Sequence, residues 1–376
     1  MNSEDVVIAG AGIIGLSVAF ELLEQGFAVR VLAPAEETGT ATLTAAGMLA
    51  PVSEADVEHV DLIPLALDSL GRYPEFVRRV EAASRMICGY RSEGTLWVAL
   101  QRDHRAELDH LLDFMADRGM AAERLDARSL RRLEPALSPR VVAGCRIPGD
   151  HQVDPRAMRE ALFEAIKQLG GQVIEARACG VDTDEGQLKG LWIERQGENK
   201  PEWLACERAV LATGAWLGKD FQGTLPPCGM RPVWGQVLRL RGEPILDHVI
   251  RTPDVYLVPR ADGRLIIGAS SEERGFDASA RAGATYELLR HAIAAVPEIA
   301  ELELEEVSVG FRPVTRDHLP VIGATGTSGL HLCGGHFRNG ILLAPGSAAA
   351  LAASMIAGQD HAELAPFSPR RFETAT

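Results

Sequence analysis

Val6–Gly15, VVIAGAGIIG, is the stretch on which the fold turns. Val6, Val7, Ile8 and Ala9 form a continuous apolar run, the pattern of a strand buried on both faces. Gly10, Ala11 and Gly12 then make a tight turn, and a helix opens at Ile13 and runs to the neighbourhood of Gln25. This is G-x-G-x-x-G in the strand, turn and helix setting that dinucleotide binding requires. Gly10 permits a turn that a Cβ would strain, Gly12 lets a pyrophosphate approach the backbone, and Gly15 lets helix and strand pack closely. The amides of Ile13, Ile14 and Gly15, at the positive end of the helix, are candidates to face the phosphates. Ile14, Val18 and Leu22 give the helix an apolar stripe, and Gly26 stops it before a second strand, Ala28–Leu32. The competing reading is an ordinary βαβ unit with a glycine-rich turn.

One expected part is missing. The carboxylate that usually binds the adenosine ribose directly follows the second strand, and here that position is Ala33, followed by Pro34. Glu36 and Glu37 lie near the nominal spacing of about 20 residues past the fingerprint, so either could reach the ribose from the loop. A solvated acidic turn is the other reading of both.

With 376 residues the chain is too long for one simple core and suits two interlocked domains. A hydrophobic share of 46% and a charged share of 24% are those of a globular protein. The formal net charge of −14 argues against a nucleic-acid partner, whose phosphates would be repelled. Met1–Asp5 runs straight into the first strand without the charged and apolar regions of a leader, so a cytoplasmic location is expected. The six cysteines, Cys88, Cys145, Cys179, Cys206, Cys228 and Cys333, include no C-x-x-C pair and suit reduced, buried thiols. The only long uncharged run, Gly340–Gln359, contains Pro345, further glycines and many alanines. It reads as a buried helix from about Ser347 to Ala357 rather than a membrane span.

Along the chain, Thr38–Pro51 is a loop of small residues ending in AAGMLAP, and Ala55–Ser84 is helical. Tyr90–Leu100 reads as a strand with Leu96 and Val98 on one face and Trp97 on the other. His104–Arg118 is an amphipathic helix with Leu108, Leu111, Leu112 and Met115 on its stripe. Asp154 and Pro155 are an N-cap and first position for a helix through Leu169. Gln172–Ala176 is then a strand, a hairpin turns at Asp184–Gly186, and Arg208–Thr213 is a buried strand ending in Gly214, Ala215 and Trp216. Short strands fill Arg231–Gly268, Tyr286–Val296 is helical, and Val307–Phe311, a loop over Arg312–Gly323 and a Leu330–Cys333 strand lead to the final helix.

The glycine fingerprint, AAGMLAP, LEP at Leu133–Pro135, VDPRA at Val153–Ala157, ATGAW at Ala212–Trp216, RPVWGQ at Arg231–Gln236, GFRPVTRDHLPVIG at Gly310–Gly323 and GGHFRNGILLAP together resemble the D-amino-acid oxidase family of flavoproteins. Within that family the glycine oxidases of bacterial thiamin synthesis are the nearest likeness. The resemblance implies an α/β fold: a Rossmann-like FAD-binding domain (1–50, 145–225 and 305–376) interleaved with an α+β substrate domain on an antiparallel sheet (51–144 and 226–304).

It also implies roles. Gly10, Gly12 and the Ile13, Ile14 and Gly15 amides would face the pyrophosphate of non-covalent FAD, with Ala33 and Pro34 beside the ribose and Gly214 nearby. Thr42 and the Ala46, Gly47 and Met48 backbone would line the isoalloxazine, and Val173 matches the position whose backbone holds adenine. His336, Phe337, Arg338, Asn339, Gly340, Ile341 and Leu342 would meet the pyrimidine end, where a helix N-terminus favours the electron-rich reduced ring. Arg312 sits where the family grips the substrate carboxylate, a task for which a planar, permanently charged guanidinium is suited. A structural arginine is the alternative. Arg338 is a second basic contact, Tyr256 a pocket residue or else a core tyrosine, and Met48 a boundary above the ring.

His331, Cys333 and His336 have a spacing that suggests a metal, but strand and turn separate them and no fourth ligand is near, so no metal is expected. Neither Thr38–Pro51 nor Phe311–Thr315 carries a Cys or His to tether a flavin. The implied reaction is oxidation of glycine or a small amine (sarcosine, small D-amino acids) to the imine, with O2 reduced to H2O2 and the imine feeding thiazole synthesis. A D-amino-acid dehydrogenase or hydrogen-cyanide-synthase-like subunit passing electrons to a quinone or partner is the alternative. A non-catalytic FAD-binding protein ranks last. The resemblance implies a homo-oligomer, tetrameric in relatives.

Overall fold

The computed structural model of the protein describes residues 5–35, 38–54, 59–198, 200–217, 219, 221–223 and 225–372. In chain order the elements are β1 Asp5–Ala9, α1 Ile13–Glu24, β2 Ala28–Ala33, α2 Ala41–Thr44, β3 Met48–Leu49 and α3 Leu62–Ser84. There follow β4 Thr95–Ala99, α4 Arg102–Asp117, β5 Glu123–Asp126, α5 Ala127–Leu133, β6 Ala143–Ile147, β7 His151–Gln152, α6 Pro155–Gln168 and β8 Gln172–Glu175. Next come β9 Arg177–Asp184, β10 Gln187–Glu194, β11 Glu202–Ala205, β12 Ala209–Leu211, β13 Arg231–Arg241, β14 Val249–Arg251, β15 Tyr256–Pro259 and β16 Arg264–Gly268. The chain closes with α7 Ala282–Ala295, β17 Glu303–Val314, β18 Val321–Ala324, β19 Leu330–Gly334 and α8 Gly340–Ala357.

Two sheets organise these elements. One runs β18-β19-β12-β1-β2-β8 and is parallel except for β18. Val6 and Ile8 of β1 face a helical layer of α1, α3, α6 and α8, while Val7 and Ala9 face a second core under the β9–β11 sheet. Burial on both faces is why β1 carries no polar alternation. Neighbours lie on both sides of β1, so its glycine turn opens at the crevice where dinucleotides bind in such sheets. The second sheet runs β17-β13-β16-β15-β14-β4-β6-β5 and is antiparallel except at β14 and β4. Leu96 and Val98 of β4 enter one core and Trp97 another, as their alternation predicts.

Several boundaries differ from the sequence expectation. β17 is bonded along its length to β13, with Arg312 opposite Val233, so Arg312 lies in a strand and not a loop. An expected division at 305 therefore runs through a strand of the antiparallel sheet. Likewise α3, expected in the substrate domain, packs on α1, α6 and α8. The final helix begins at Gly340, seven residues early, with Pro345 inside it.

Hydroxyls from α3 repair what Pro345 disrupts. Proline cannot donate to the carbonyl one turn back, that of Ile341, and Tyr73 Oη donates to this oxygen instead at 2.5 Å. Ser69 Oγ donates to the Leu342 carbonyl at 2.7 Å and accepts from the Gly346 amide at 2.9 Å, bridging the next gap in the ladder. The helix can therefore start early, bringing its N-terminal turn to the site. The window Phe337–Ala357 is apolar enough by composition to cross a bilayer, with mean hydropathy 1.7, yet 67% of it is buried inside the protein.

Arginines of the antiparallel sheet fasten the segment between the two sheets. Arg239 donates to the carbonyls of Leu43 at 2.9 Å and Thr44 at 3.3 Å, and Arg260 donates to that of Ala46 and to Gln152 Oε1. Asp154 caps α6 through the Arg156 and Ala157 amides and pairs with Arg264 at 2.8 Å. Burial raises the Asp154 carboxyl, but Arg260 and Arg264 outweigh burial and hold it below the usual aspartate range.

Asp150 supports the adjoining turn at Val52, whose amide donates to Asp150 Oδ1 at 3.3 Å. Burial pushes the Asp150 carboxyl up to about 7. Since an unfolded aspartate titrates near 3.9, the folded chain holds this proton more tightly, and stability falls as pH rises from about 4 to about 7. Asp150→Asn keeps an acceptor without the charge. Urea unfolding should find it more stable than the parent at pH 8, by roughly 2 kcal/mol, and close to the parent at pH 4.

Candidate active site

One cavity of about 710 Å³ lies between the two sheets, a volume usual for cofactor and ligand sites. Its wall includes Gly10, Gly12, Ile13, Ile14, Pro34, Thr42, Ala46, Gly47, Met48, Gly214, Tyr256, Arg312 and the whole run His336–Ile341. Residues far apart in sequence are thus brought together.

At the β1 end, Gly10 has φ +114°, and a Cβ there would overlap the Ala212 carbonyl. A Cβ on Gly12 would meet only Thr42 Oγ1, at 3.4 Å, so Gly12 leaves the backbone open to the cavity. The Ile13 amide donates to Thr42 Oγ1 at 3.0 Å. It is thereby committed to Thr42 rather than left for a phosphate, and the Thr42 hydroxyl keeps its own proton to donate. Arg159 of α6 also lines the wall, with its Nε donating to the Ala11 carbonyl at 3.0 Å and its guanidinium 4.6 Å from the Phe163 ring centre.

Arg312 builds the opposite end. Its Nη1 donates to the carbonyls of Ser270 at 3.0 Å and Trp234 at 3.4 Å, which fixes the fork from one side. A Cβ on Gly235 would overlap the guanidinium, and one on Gly268 would overlap the Tyr256 ring, so two glycines of the sheet make room for these side chains. Burial pulls the Arg312 pKa below the usual arginine value, with Tyr256 opposing and Arg338 adding to the effect. Burial likewise raises the Tyr256 hydroxyl, so it stays a neutral donor. Glu54, which sequence reading passed over, joins this end with its carboxylate 2.8 Å from Arg251.

The third wall is the His336–Ile341 run. Phe337 takes a left-handed φ of 47°, uncommon for a side chain of its size and found most often at functional sites. Arg338 sits over the Phe337 ring at 5.5 Å. His336 is buried, bonded through Nε2 to Ser347 Oγ at 3.0 Å, and burial pushes its pKa down to about 3, so the imidazole is neutral. The positive end of α8 adds donor groups beside it.

Four expected residues lie elsewhere. Gly15 is behind the turn, where a Cβ would overlap the Gly10 carbonyl, so its role is packing. Val173 packs into the helical core, and the wall at this end comes from Glu175, Ala176, Arg177 and Ala178. Ala33 sits one residue behind Pro34, and Leu342 lines a small neighbouring cavity. Ile14 is half-buried, packs against the helical core with Val18 and Leu22 as its stripe predicts, and also lines the cavity. Glu36 and Glu37 lie outside the described residues.

These walls fit FAD. Thr40 Oγ1, Thr213 Oγ1 and His336 Nδ1 belong to wall residues and are buried without a hydrogen-bond partner among the described residues, as expected of groups that a polar ligand completes. The open backbone at Gly12 suits a pyrophosphate, and the electropositive α8 terminus suits a reduced flavin.

Comparison with known proteins agrees with the geometry. The bifunctional protein ThiO/ThiG of Synechocystis sp. is 34% identical over 384 residues, covering 100% of this chain and 55% of that protein. The chain thus spans about half the length of this relative. Glycine oxidase of Geobacillus kaustophilus is 30% identical over 98% of this chain and 97% of its own length. The crystal structure of glycine oxidase from Geobacillus kaustophilus superposes with a TM-score of 0.86 over 98% of both chains. Residues 5–354 match the DAO model, FAD dependent oxidoreductase, and with a matching fold and a cavity that fits the cofactor the chain belongs to this family of FAD-dependent flavoprotein oxidoreductases.

Proposed function

We propose that this chain oxidises glycine or a comparably small amino acid, such as sarcosine or a small D-amino acid, to the imine, with O2 as electron acceptor and H2O2 as product. The observation that carries this reading is the Arg312 guanidinium, half-buried at one end of the cofactor cavity, anchored through Nη1 and given space by Gly235. Its planar fork suits a carboxylate. Arg338 adds a second positive charge on the wall, while Glu54 is already paired with Arg251, so this end favours an anionic group.

FAD, which Gly12, Thr42 and the His336–Ile341 run would hold, would supply a two-electron acceptor for hydride from the substrate Cα–H bond. The protein's part is binding and orientation. Arg312 fixes the carboxylate, Tyr256 closes the pocket beside it as a neutral donor, and Met48 bounds it from the β3 side. No acid or base dyad is needed, because an amine that has lost its extra proton supplies the lone pair from which the imine forms. Cys333, on the cavity wall, is pushed up to about 12 by burial and stays a thiol, which supports non-covalent FAD. Similarity to glycine oxidase and to ThiO/ThiG supports the choice of glycine and a role in supplying the imine for thiazole formation in thiamin synthesis.

The test is steady-state oxidation of glycine, sarcosine and D-alanine in air with O2 and peroxide measured together. Equal amounts of O2 consumed and peroxide formed are expected. Turnover only with an added quinone would assign the chain to the dehydrogenases instead.

A further inference from the structure

We propose that Glu175 is the carboxylate that holds the adenosine ribose of FAD in this chain, moved by one strand from the position occupied by Ala33. The inference rests on the cofactor and not on which amine is oxidised. Dinucleotide-binding folds of this type place an acidic side chain at the end of the second strand to accept from ribose hydroxyls. Here β2 ends at Ala33 and is followed by Pro34 and Ala35, none of which has such a group.

β8 lies beside β2 in parallel register, and Glu175 is the register partner of Ala33. The Ala176 amide donates to the Ala33 carbonyl at 3.0 Å, so the two strand ends are held together. Neighbouring strands are about 4.8 Å apart, a distance that a glutamate side chain spans. A carboxylate at 175 can therefore serve the place that one at 33 would serve, and the small residues at 33–35 put no bulk between them.

Among the described residues, three carboxylates line the cavity: Glu54, Glu175 and Glu194. Glu54 is paired with Arg251, and Glu194 with Arg177 at 2.5 Å. Glu175 makes no ion pair or hydrogen bond to the described residues, so both its oxygens are free to accept. Two adjacent hydroxyls, each able to donate, are the chemistry that such a carboxylate takes.

The experiment measures affinity of the apoprotein for FAD and for its analogue lacking the adenosine 2′-hydroxyl, by flavin fluorescence. Glu175→Gln should raise the FAD Kd about tenfold, and the added change Ala33→Glu should restore it by returning the carboxylate to β2. The parent should prefer FAD to the analogue, while Glu175→Gln binds the two alike. The analogue comparison decides the matter even where Ala33→Glu impairs folding. Unchanged FAD affinity in Glu175→Gln, or a Glu175→Gln protein that still prefers FAD to the analogue, would overturn the assignment.

Discussion

Replacing Arg312 with alanine is expected to raise the KM for glycine by about 100-fold or more while FAD stays bound and the fold stays intact. Removing one partner of a buried, charge-assisted pair costs about 2–5 kcal/mol, and each 1.4 kcal/mol is a factor of about ten. The guanidinium lies on β17 opposite Val233, away from the glycine turn, so its loss does not reach the pyrophosphate end. Arg312→Lys should recover only part of the loss, since an ammonium cannot both satisfy the Ser270 and Trp234 carbonyls and present a two-pronged donor. Gly235→Ala supplies an independent check. It leaves Arg312 present but pushes a Cβ into its guanidinium, and the KM should rise in the same direction with the flavin spectrum retained. A KM unchanged in both variants would remove Arg312 from the substrate site.

Gly10→Ala should produce a colourless, poorly folded protein. Two costs combine there: the φ of +114° is one that side chains rarely adopt, and the added Cβ would occupy the space of the Ala212 carbonyl. Because the Ala212 amide donates to the Ala9 carbonyl at 2.8 Å, displacing that residue also disturbs the end of β1. A loss of roughly 3 kcal/mol or more is expected in urea unfolding. Gly12→Ala separates folding from binding. Its Cβ faces open space except for Thr42 Oγ1, so the variant should fold with near-parent stability and lose FAD affinity, because the methyl stands where the pyrophosphate approaches.

The contrast between these two glycines also shows what the sequence made legible. β1, α1 and β2 follow from a short, local pattern of apolar run, glycines and helix, and the Asp154 cap follows from one residue and the proline after it. Such features depend on neighbours in sequence. The start of α8 was hidden because Pro345 reads as a stop, and only α3, hundreds of residues away, supplies the hydroxyls that make the proline tolerable. Arg239 and Arg260 look like ordinary strand arginines, yet both are buried because the carbonyls of the Leu43–Ala46 segment receive them. Arg312 was assigned to the substrate by resemblance, whereas its space depends on Gly235 across the sheet. Val173 and Glu175 lie two residues apart on the same face of β8, yet Val173 packs in the helical core while Glu175, at the strand end in register with Ala33, reaches the cavity wall. Residues placed by pairing across a sheet, such as Glu175, Gly235 and Arg312 on the cavity wall, carry no local signal.

The most direct test of the account is the visible spectrum of the purified holoprotein during anaerobic addition of glycine, followed by air. Bound FAD should bleach in the presence of glycine and regain its colour, with peroxide formed, when air is admitted. A bound flavin that neither glycine, sarcosine nor D-alanine reduces would contradict the assignment of this chain to amine oxidation.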